Sequence, residues 1–406
     1  MSSRTTRQRD RARINWIVEP PRNEAEFDAA YEILCDVFNM PPDMKEQARK
    51  RLELTDWVIV REESGRLAGG LVIIKCGQFF GGRRIPTGAI SLVGITPAAR
   101  GTGAGSALMR QLMRMLHERG VPLSTLYPAT QPIYRSAGYE QAGTWPKTTI
   151  RLKELRARDD SGLSLRAIES EADHQTVEAL YRADAARHNG TLDRDAYLWA
   201  RVRQPLFAPN EGYLVERDGR AEGFIHYRKT GEGSPGYGLM ATDILAATHD
   251  ASRRLISFLA QHQSMCGEMI ITRGTNDPLI SLLREQSYTM AIQGIWMLRI
   301  VDVRKGLEQR GYPPGLSGEV HLEIEDDVVP QNEGRWILRV EDGEARVEPG
   351  GRGELRMHVR GLASLYSGYR SAEQTMVMGL AEGDAEAARA ATAVFTGPSP
   401  WMVEIF

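Results

Sequence analysis

The sequence predicts an α+β protein made of three units: two similar mixed-sheet units and a smaller C-terminal module. The chain has 406 residues, and this length corresponds to roughly 2.7 domains of about 150 residues. One order of strands and helices occurs twice before residue 304, and strands followed by helices replace it afterwards. A single hydrophobic core is therefore not expected to serve the whole chain.

The composition is that of an ordinary globular protein. Hydrophobic residues make up 42% of the chain and charged residues 26%, which argues against extensive disorder. The 51 Lys and Arg residues nearly balance the 53 Asp and Glu residues, so the net charge is −2. This balance disfavours a nucleic-acid partner. No apolar run reaches about 18 residues, so we expect a cytoplasmic protein without a membrane span.

Cysteines and histidines show no metal-binding spacing. Cys35, Cys76 and Cys266 lie far apart, and neither CxxC nor HExxH occurs, so we expect reduced thiols and no metal. Residues 1–13 carry five arginines, and no apolar segment follows them. These residues are therefore predicted to be a disordered basic tail rather than a secretory signal.

The first unit is predicted to span residues 14–155. Apolar residues at helical spacing predict helices, and short apolar runs bounded by turn residues predict strands. The predicted strands cover 14–18, 57–61, 68–76, 89–95 and 123–127. One predicted helix carries apolar residues from 27 to 38, and another carries them from 108 to 116 and stops at Gly120.

The second unit is predicted to span residues 156–304, after a polar linker around Asp159 and Gly162. Its predicted strands cover 163–167, 212–216, 223–228 and 241–246, and its helices 176–186 and 251–262. This repeats the order of the first unit and suggests an internal duplication. The third unit, residues 305–406, shows alternating strands followed by two helices. The glycine-rich stretch 350–353 is predicted to be a hairpin loop.

The clearest candidate site follows the strand at 89–95. In Arg100-Gly101-Thr102-Gly103-Ala104-Gly105, glycines permit close backbone approach just before a helix begins, an arrangement that suits a phosphate or pyrophosphate. A P-loop would need Gly-Lys-Ser/Thr, and a Rossmann fingerprint would need glycine where Ser106 stands. The remaining spacing, Arg-x-x-Gly-x-Gly, resembles the acyl-CoA pyrophosphate loop of the GNAT N-acetyltransferases.

This resemblance implies that acetyl-CoA is the co-substrate. It carries over to the end of the predicted strand and to the loop, where the residues implied to bind acetyl-CoA are Val93, Gly94, Ile95, Arg100, Gly101, Thr102, Gly103, Ala104 and Gly105. Near residues 246–254, the corresponding place in the second unit, no Gly-x-Gly occurs. Without that close backbone approach, we expect no second acetyl-CoA site.

A second candidate lies in the segment 126–139. Many GNAT enzymes carry a Tyr-x-x-x-Gly-Phe/Tyr segment here, matched by Tyr134, Gly138 and Tyr139, and its first tyrosine lies near the thioester sulfur. A phenol with an ordinary pKa of about 10 stays protonated at neutral pH, so it can protonate a departing thiolate. Tyr134 is therefore the candidate general acid, whereas Tyr139 is expected in the core.

The order of the units narrows the resemblance to the Eis (enhanced intracellular survival) family of GNAT N-acetyltransferases. That family joins an acetyltransferase domain, a second one without the loop, and a module like sterol carrier protein. The segments 298–303, 307–312 and 362–368 match in the same order. The resemblance implies that the terminal carboxylate of Phe406 is the general base, and that the protein is a homo-oligomer, a trimer or hexamer. The last six residues are mostly large and apolar, which indicates a packed C-terminus.

The resemblance implies an amine acceptor. The family acetylates aminoglycosides, and some members act on lysines or other cationic molecules. Such acceptors need a roomy pocket with carboxylates, for which Asp36 and Asp43 are candidates. Ile405 stands where relatives can carry an acidic residue, and Glu404 is offset by one position.

We therefore predict an acetyl-CoA-dependent N-acetyltransferase. Its acceptor would be a primary amine of a cationic small molecule, aminoglycoside-like or polyamine-like, or of a lysine in a peptide. Two alternatives remain open. One is a lipid- or sterol-binding protein that uses the C-terminal module, with the GNAT units as scaffold. The other is a Fem-like aminoacyl transferase, whose tRNA substrate the balanced charge disfavours.

Overall fold

A computed structural model describes most of the chain, in five stretches. These stretches are 15–40, 52–157, 161–203, 210–231 and 237–406. The predicted basic tail, Asp43 and Asp159 lie outside the described residues. The chain forms two compact units, one of residues 1–73 and 91–112 and one of residues 74–90 and 113–406.

Eighteen strands and eleven α-helices occur in the described residues. The strands are β1 Trp16–Glu19, β2 Trp57–Glu62, β3 Leu67–Phe80, β4 Arg83–Ile95, β5 Leu123–Leu126, β6 Glu140–Arg151, β7 Ser164–Ala167, β8 Leu192–Asp193, β9 Glu211–Arg217, β10 Arg220–Thr230, β11 Tyr237–Ala246, β12 Cys266–Ile271, β13 Tyr288–Ile300, β14 Gly318–Glu325, β15 Gly334–Glu341, β16 Glu344–Pro349, β17 Leu355–His358 and β18 Ala381–Gly383. The helices are α1 Glu24–Phe38, α2 Ala104–Glu118, α3 Gln131–Arg135, α4 Glu171–Ala185, α5 Ala196–Arg203, α6 His249–Gln261, α7 Pro278–Ser281, α8 Val303–Gln309, α9 Val359–Ser367, α10 Ala372–Val377 and α11 Ala385–Phe395.

In the first compact unit, α1 packs on an antiparallel ladder of β1, β2 and the first half of β3. The apolar residues of α1 recur every three or four positions, so they share one face. The Phe27 ring on that face packs edge-on against Trp57, with 4.9 Å between ring centroids. The helix begins three residues before Phe27 because the Asn23 side chain accepts a hydrogen bond from the Glu26 amide.

Helix α2 follows the glycine-rich loop, as predicted. Leu108, Leu112 and Leu116 are buried on one face. Gly120 has φ +71°, in the left-handed region that glycine adopts readily. The Gly120 amide donates to the His117 carbonyl and the Val121 amide to the Leu116 carbonyl, so backbone groups at the helix end are satisfied. The predicted stop at Gly120 is confirmed.

The second compact unit contains a long sheet in the order β4-β5-β13-β6-β12-β11-β10-β9-β7. Strand β13 lies between β5 and β6 and pairs with both in antiparallel fashion. Its C-terminal half, from Trp296 to Ile300, is fully buried. A strand from the predicted second unit thus completes a sheet that begins with strands of the predicted first unit.

The predicted second unit lacks a glycine-rich loop at the turn that corresponds to residues 100–105. Strand β11 leads through Ala247 and Thr248 into α6. The Thr248 side chain caps this helix by accepting a hydrogen bond from the Ala251 amide at 3.1 Å. The turn has no glycine, in contrast to the loop before α2, and the expectation of no second acetyl-CoA site stays a prediction.

The C-terminal module has a second sheet, in the order β16-β15-β14-β17-β18, with α8 to α11 around it. Strands followed by helices were predicted here. The hairpin predicted at 350–353 is wrong, because β16 pairs with β15, whereas β17 runs parallel to β14. This stretch crosses from one edge of the sheet to the other side of β14, so its flanking strands do not pair.

The cysteines, the metal-ligating side chains and the helix hydropathy bear on three further predictions from the sequence. Cys35, Cys76 and Cys266 are buried and form no disulfide bond. Burial raises the pKa of Cys76 far above its ordinary value, which leaves it an unreactive thiol. Among the described residues, no group of three or more metal-ligating side chains is placed to hold a metal ion. None of the described helices combines the length and the apolar character needed to cross a membrane.

Candidate active site

The backbone of β4 changes conformation just before the predicted acetyl-CoA residues. Leu92 has φ +53°, which is uncommon for a residue with a side chain and interrupts the extended strand. Gly94 follows, and a Cβ there would lie 2.6 Å from Leu34 of α1. A Cβ on Gly69 would lie 2.0 Å from the Gly94 carbonyl oxygen. The sequence thus combines an irregular strand end with glycines that permit close packing.

The loop at residues 100–105 needs glycine for its backbone conformation. Gly101 has φ +73° and Gly103 has φ +95°, values that L-residues with side chains rarely adopt. A Cβ on Gly101 would meet nothing within 4 Å, so crowding is not the reason for this glycine. The Thr102 hydroxyl donates to the Ala99 carbonyl at 2.6 Å, and the Trp16 indole donates to the Thr102 carbonyl at 3.4 Å. These bonds brace the loop from within the first compact unit.

Helix α2 begins at Ala104, so the last two residues of the predicted loop form its first turn. The first four amides of an α-helix have no partner within the helix, and the helix dipole adds partial positive charge there. The exposed Arg100 adds a full positive charge, and its Nε donates to the Ile95 carbonyl at 3.3 Å. The loop, the helix end and Arg100 together fit an anionic group of the size and charge of a pyrophosphate.

Tyr134 lies in the short helix α3, and its side chain is 5% exposed. Burial raises the pKa of Tyr134 to about 12, so the hydroxyl stays protonated over the whole neutral range. Its ring lies 6.2 Å from that of Tyr139, which is fully buried. The Tyr139 and Ser124 hydroxyl oxygens are 2.6 Å apart. The expectation that Tyr139 belongs to the core is confirmed.

A buried carboxylate holds the end of α3. Glu140 is completely buried and accepts three hydrogen bonds from Arg135, the residue after Tyr134, and further bonds from Arg360 of the C-terminal module. Burial alone would raise the pKa of Glu140, but the bonds from Arg135 and Arg360 hold it below its ordinary value. Local sequence patterns do not indicate these ion pairs, because 220 residues separate Arg360 from Glu140.

The C-terminal tail, defined as residues 400–406, is hydrogen-bonded into the second compact unit. The Thr144 amide donates to the Pro400 carbonyl at 3.1 Å, and the Met402 amide donates back to the Thr144 carbonyl at 3.0 Å. The Trp401 amide donates to the Asn189 carbonyl at 3.0 Å. The Met402 side chain is fully buried. The predicted packing of the C-terminus is confirmed by these contacts.

The last three residues differ in their burial and in their contacts. Glu404 is buried, and its carboxylate accepts hydrogen bonds from Arg194 and Tyr181. Ile405 is 47% exposed. The Phe406 ring lies 6.2 Å from the Tyr127 ring, measured between centroids. Tyr127, Tyr181 and Arg194 were not predicted as site residues from the sequence. Tyr127 nevertheless lies in the segment 126–139, which was selected because it contains Tyr134.

The structure describes one of the two acidic residues predicted for the acceptor. Asp36 is exposed on α1, and Asp43 lies outside the described residues. A cavity of about 160 Å³ lies beside the tail and is bordered by Val403, Glu404 and Ile405. The other side chains that line it are half apolar and half polar: Trp145, Leu198, Val202 and Met240 on the one hand, and Arg194, Arg201, Thr242 and Thr272 on the other.

Comparisons with known families agree with the predicted order of domains. Two segments match models described as acetyltransferase (GNAT) domains, residues 21–142 and 190–300. A third, residues 303–403, matches a model described as a sterol carrier protein domain.

Similar proteins span nearly the same length. The crystal structure of a GCN5-related N-acetyltransferase from Anabaena variabilis is 33% identical, with a TM-score of 0.91 over 97% of this chain and 100% of that chain. The N-acetyltransferase Eis of Mycobacterium tuberculosis is 28% identical over 78% of this chain and 79% of its own length. An uncharacterized N-acetyltransferase of Streptomyces griseus is 29% identical over 80% of this chain and 83% of its own.

Membership of one enzyme family accounts for both the loop before α2 and the order of the domains. GNAT acetyltransferases use acetyl-CoA as co-substrate, and the relatives are named N-acetyltransferases. The chain belongs to the GCN5-related N-acetyltransferases, and it carries the arrangement of the Eis homologues, with two acetyltransferase domains followed by a sterol carrier protein domain.

Proposed function

We propose that the chain transfers the acetyl group of acetyl-CoA to a primary amine, with Tyr134 as general acid and the α-carboxylate of Phe406 as general base. The observation that carries the proposal is the anchoring of the C-terminal tail. Chain termini usually fray into solvent, whereas this one is tied by backbone bonds at Thr144 and Asn189 and by the buried side chain of Glu404.

The loop at residues 100–105 takes the role of holding the co-substrate. Its positive-φ glycines, the open amides of α2 and Arg100 supply the positive potential that a pyrophosphate requires. The strand end from Val93 to Ile95 offers backbone groups to the remainder of the acetyl-CoA molecule. These residues bind and orient the thioester, and they take no part in proton transfer.

Tyr134 supplies the proton that the reaction needs at the sulfur. The amine nitrogen attacks the thioester carbonyl carbon, a C–N bond forms, and the C–S bond then breaks. The departing thiolate takes the proton of the Tyr134 hydroxyl, or is held by a hydrogen bond from it. A pKa of about 12 for Tyr134 ensures that the proton is present before each turnover.

The terminal carboxylate of Phe406 receives the proton that the amine must lose. An α-carboxyl group has an ordinary pKa near 3.5, so it is ionised at neutral pH and ready to accept a proton directly or through a water molecule. Such a weak base is effective only when it is held close to the attacking nitrogen. The anchoring of residues 400–404 supports this role, because it restrains the chain just before the carboxylate.

The cavity beside the tail favours one class of acceptor among those predicted from the sequence. Six apolar side chains border it, those of Trp145, Leu198, Val202, Met240, Val403 and Ile405. Glu404, the carboxylate that borders it, is paired with Arg194. A lysine-like or other singly charged amine therefore fits better than an aminoglycoside-like or polyamine-like polycation, which needs several free carboxylates.

The experiment that tests the proposal measures thiol release from acetyl-CoA with a panel of amines. The panel contains a peptide with a free lysine, an arylalkylamine, spermidine and an aminoglycoside, and mass spectrometry confirms the acetylated product. We expect kcat/KM at least ten-fold higher for the first two. Higher values for the aminoglycoside or spermidine would overturn the acceptor class alone. Absence of amine-dependent thiol release with every amine would overturn the proposed function.

A further inference from the structure

A buried arginine connects the second acetyltransferase domain to the C-terminal tail. The Arg194 side chain is 1% exposed and lies between two carboxylates, those of Asp243 and Glu404. Its guanidinium nitrogens lie 2.8 Å from a Glu404 carboxylate oxygen. The Tyr181 hydroxyl donates to the same oxygen at 3.0 Å. Glu404 is therefore held by two donors that come from outside the tail.

The plane of the guanidinium is fixed as well. Its central carbon lies 3.7 Å from the centroid of the Tyr181 ring and 4.8 Å from that of Trp199. Burial alone lowers the pKa of Arg194, but the adjacent charges of Asp243 and Glu404 raise it above its ordinary value. The arginine stays charged, and stacking and ion pairing leave it one orientation.

Glu404 is the last polar anchor of the tail among the described contacts. The bonds at Thr144 and Tyr127 hold the chain as far as Met402, and Glu404 lies two residues further on. Ile405 is half-exposed, so its side chain adds little restraint. At about 3.3 Å per residue of extended chain, the two residues after Glu404 limit the terminal carboxylate to within about 7 Å of it.

We propose that Arg194 and Glu404 are positioning residues, a pair by which the second acetyltransferase domain fixes the terminal carboxylate of Phe406. This inference rests on the proposed function, since it gives the carboxylate its place as general base. It assigns a purpose to a domain that lacks the glycine-rich loop. It also excludes Glu404 from the direct binding of a cationic acceptor, because its carboxylate is 5% exposed and already paired.

A misplaced catalytic group gives a characteristic kinetic signature. A displacement of about 1 Å can cost on the order of 100-fold in rate, while the binding of acetyl-CoA rests on the loop at residues 100–105, which belongs to the other compact unit. We therefore expect Glu404→Ala to lower kcat about 100-fold, with the Kd for acetyl-CoA changed less than two-fold. Glu404→Gln keeps the shape and part of the hydrogen bonding, so its kcat should lie between those of Glu404→Ala and the native enzyme.

Asp326→Asn is the matched control. Asp326 and Arg299 form another buried ion pair, fully enclosed, which joins the C-terminal module to β13. Because this pair is buried at least as deeply, we expect its loss to lower the thermal midpoint at least as much as loss of the Glu404 pair, although it does not involve the tail. We expect kcat per folded molecule to stay within two-fold of the native value. Arg194→Lys keeps the positive charge but loses the planar guanidinium group, with its several N–H donors. It provides a second folded variant if Glu404→Ala does not fold.

A double variant separates positioning from a merely structural role. Deletion of Phe406 moves the terminal carboxylate back to Ile405, away from its proposed place, and Glu404→Ala added to that deletion should lower kcat no further. A further fall as large as that in the full-length chain would overturn the inference. So would an unchanged kcat in Glu404→Ala when deletion of Phe406 abolishes turnover, and in that case the proposed function stands. If deletion of Phe406 itself leaves kcat unchanged, the base assignment falls and the inference falls with it.

Discussion

The Tyr127 hydroxyl donates a hydrogen bond to the Met402 carbonyl oxygen over 2.6 Å, joining residues 275 positions apart. Tyr127 directly follows β5, in the segment that leads to Tyr134, and Met402 lies four residues before the end of the chain. Burial raises the pKa of Tyr127 well above its ordinary value, so its hydroxyl remains a donor. One bond thus connects the segment of the proposed acid to the tail of the proposed base.

Tyr127→Phe should weaken both the fold and turnover. The ring is kept, but the buried Met402 carbonyl loses its partner, at a cost of about 1–3 kcal/mol in the free energy of unfolding. Because the tail loosens, kcat should fall as well. The control is Tyr312→Phe, which removes a similar buried bond, to the Leu307 carbonyl at 2.7 Å. Urea unfolding should show comparable losses for both, and a kcat lowered equally in both would contradict the special role of Tyr127.

Gly103→Val should weaken the binding of acetyl-CoA. A β-branched residue at φ +95° is strained by about 1–3 kcal/mol, and relief of that strain moves the amides away from the pyrophosphate. We expect the Kd measured by calorimetry to rise at least ten-fold. Gly219→Val, at φ +78° in an open turn of the second compact unit, carries the same strain and should leave the Kd unchanged. Equal Kd values in the two variants would argue against the loop.

Tyr134→Phe should lower kcat by about 10²- to 10⁴-fold, the usual contribution of a general acid, with the Kd for acetyl-CoA unchanged. Because the pKa of Tyr134 is about 12, the native enzyme should show no fall in kcat between pH 8 and 10. Tyr139→Phe is the control, since it loses only a core bond to Ser124 and should keep its turnover. A native kcat that declines with a midpoint below pH 10 would indicate a different acid.

His226 should make the protein sensitive to acid. Burial lowers its pKa from 6.5 to about 4, so between these values the unfolded chain binds a proton that the folded chain excludes. Stability is therefore complete above pH 6.5 and is lost as the pH falls toward 4, by about 2 kcal/mol at pH 5. His226→Gln removes this contribution. Urea unfolding at pH 7 and pH 5 should show a smaller difference in the variant, and equal differences would refute the assignment.

Local patterns in the sequence were sufficient for the loop and its flanking elements. The spacing of Leu108, Leu112 and Leu116, the glycines before them and Gly120 after them all act within a few residues, so the helix, its start and its stop could be predicted. Tyr134 was found through a family motif. The apolar composition of the last six residues correctly indicated a packed C-terminus.

Partners that are distant along the chain could not be found this way. Arg194 and Glu404 are 210 residues apart, and no periodicity connects them. Strand β13 inserts between β5 and β6, a choice of neighbours that local sequence does not encode. Strand β6 itself was missed, because Gly143 and Pro146 weaken the strand pattern. The register of β13 against β6 shifts between Ile292 and Gly294, next to that proline.

The central claim is that the carboxylate at the end of the chain is the general base. The most direct test is the addition of one alanine after Phe406, which moves the carboxylate by one residue and leaves every side chain in place. We predict that turnover with the best amine of the panel is lost, while the Kd for acetyl-CoA and the thermal midpoint remain those of the native chain. An extended enzyme with an unchanged kcat would contradict the claim.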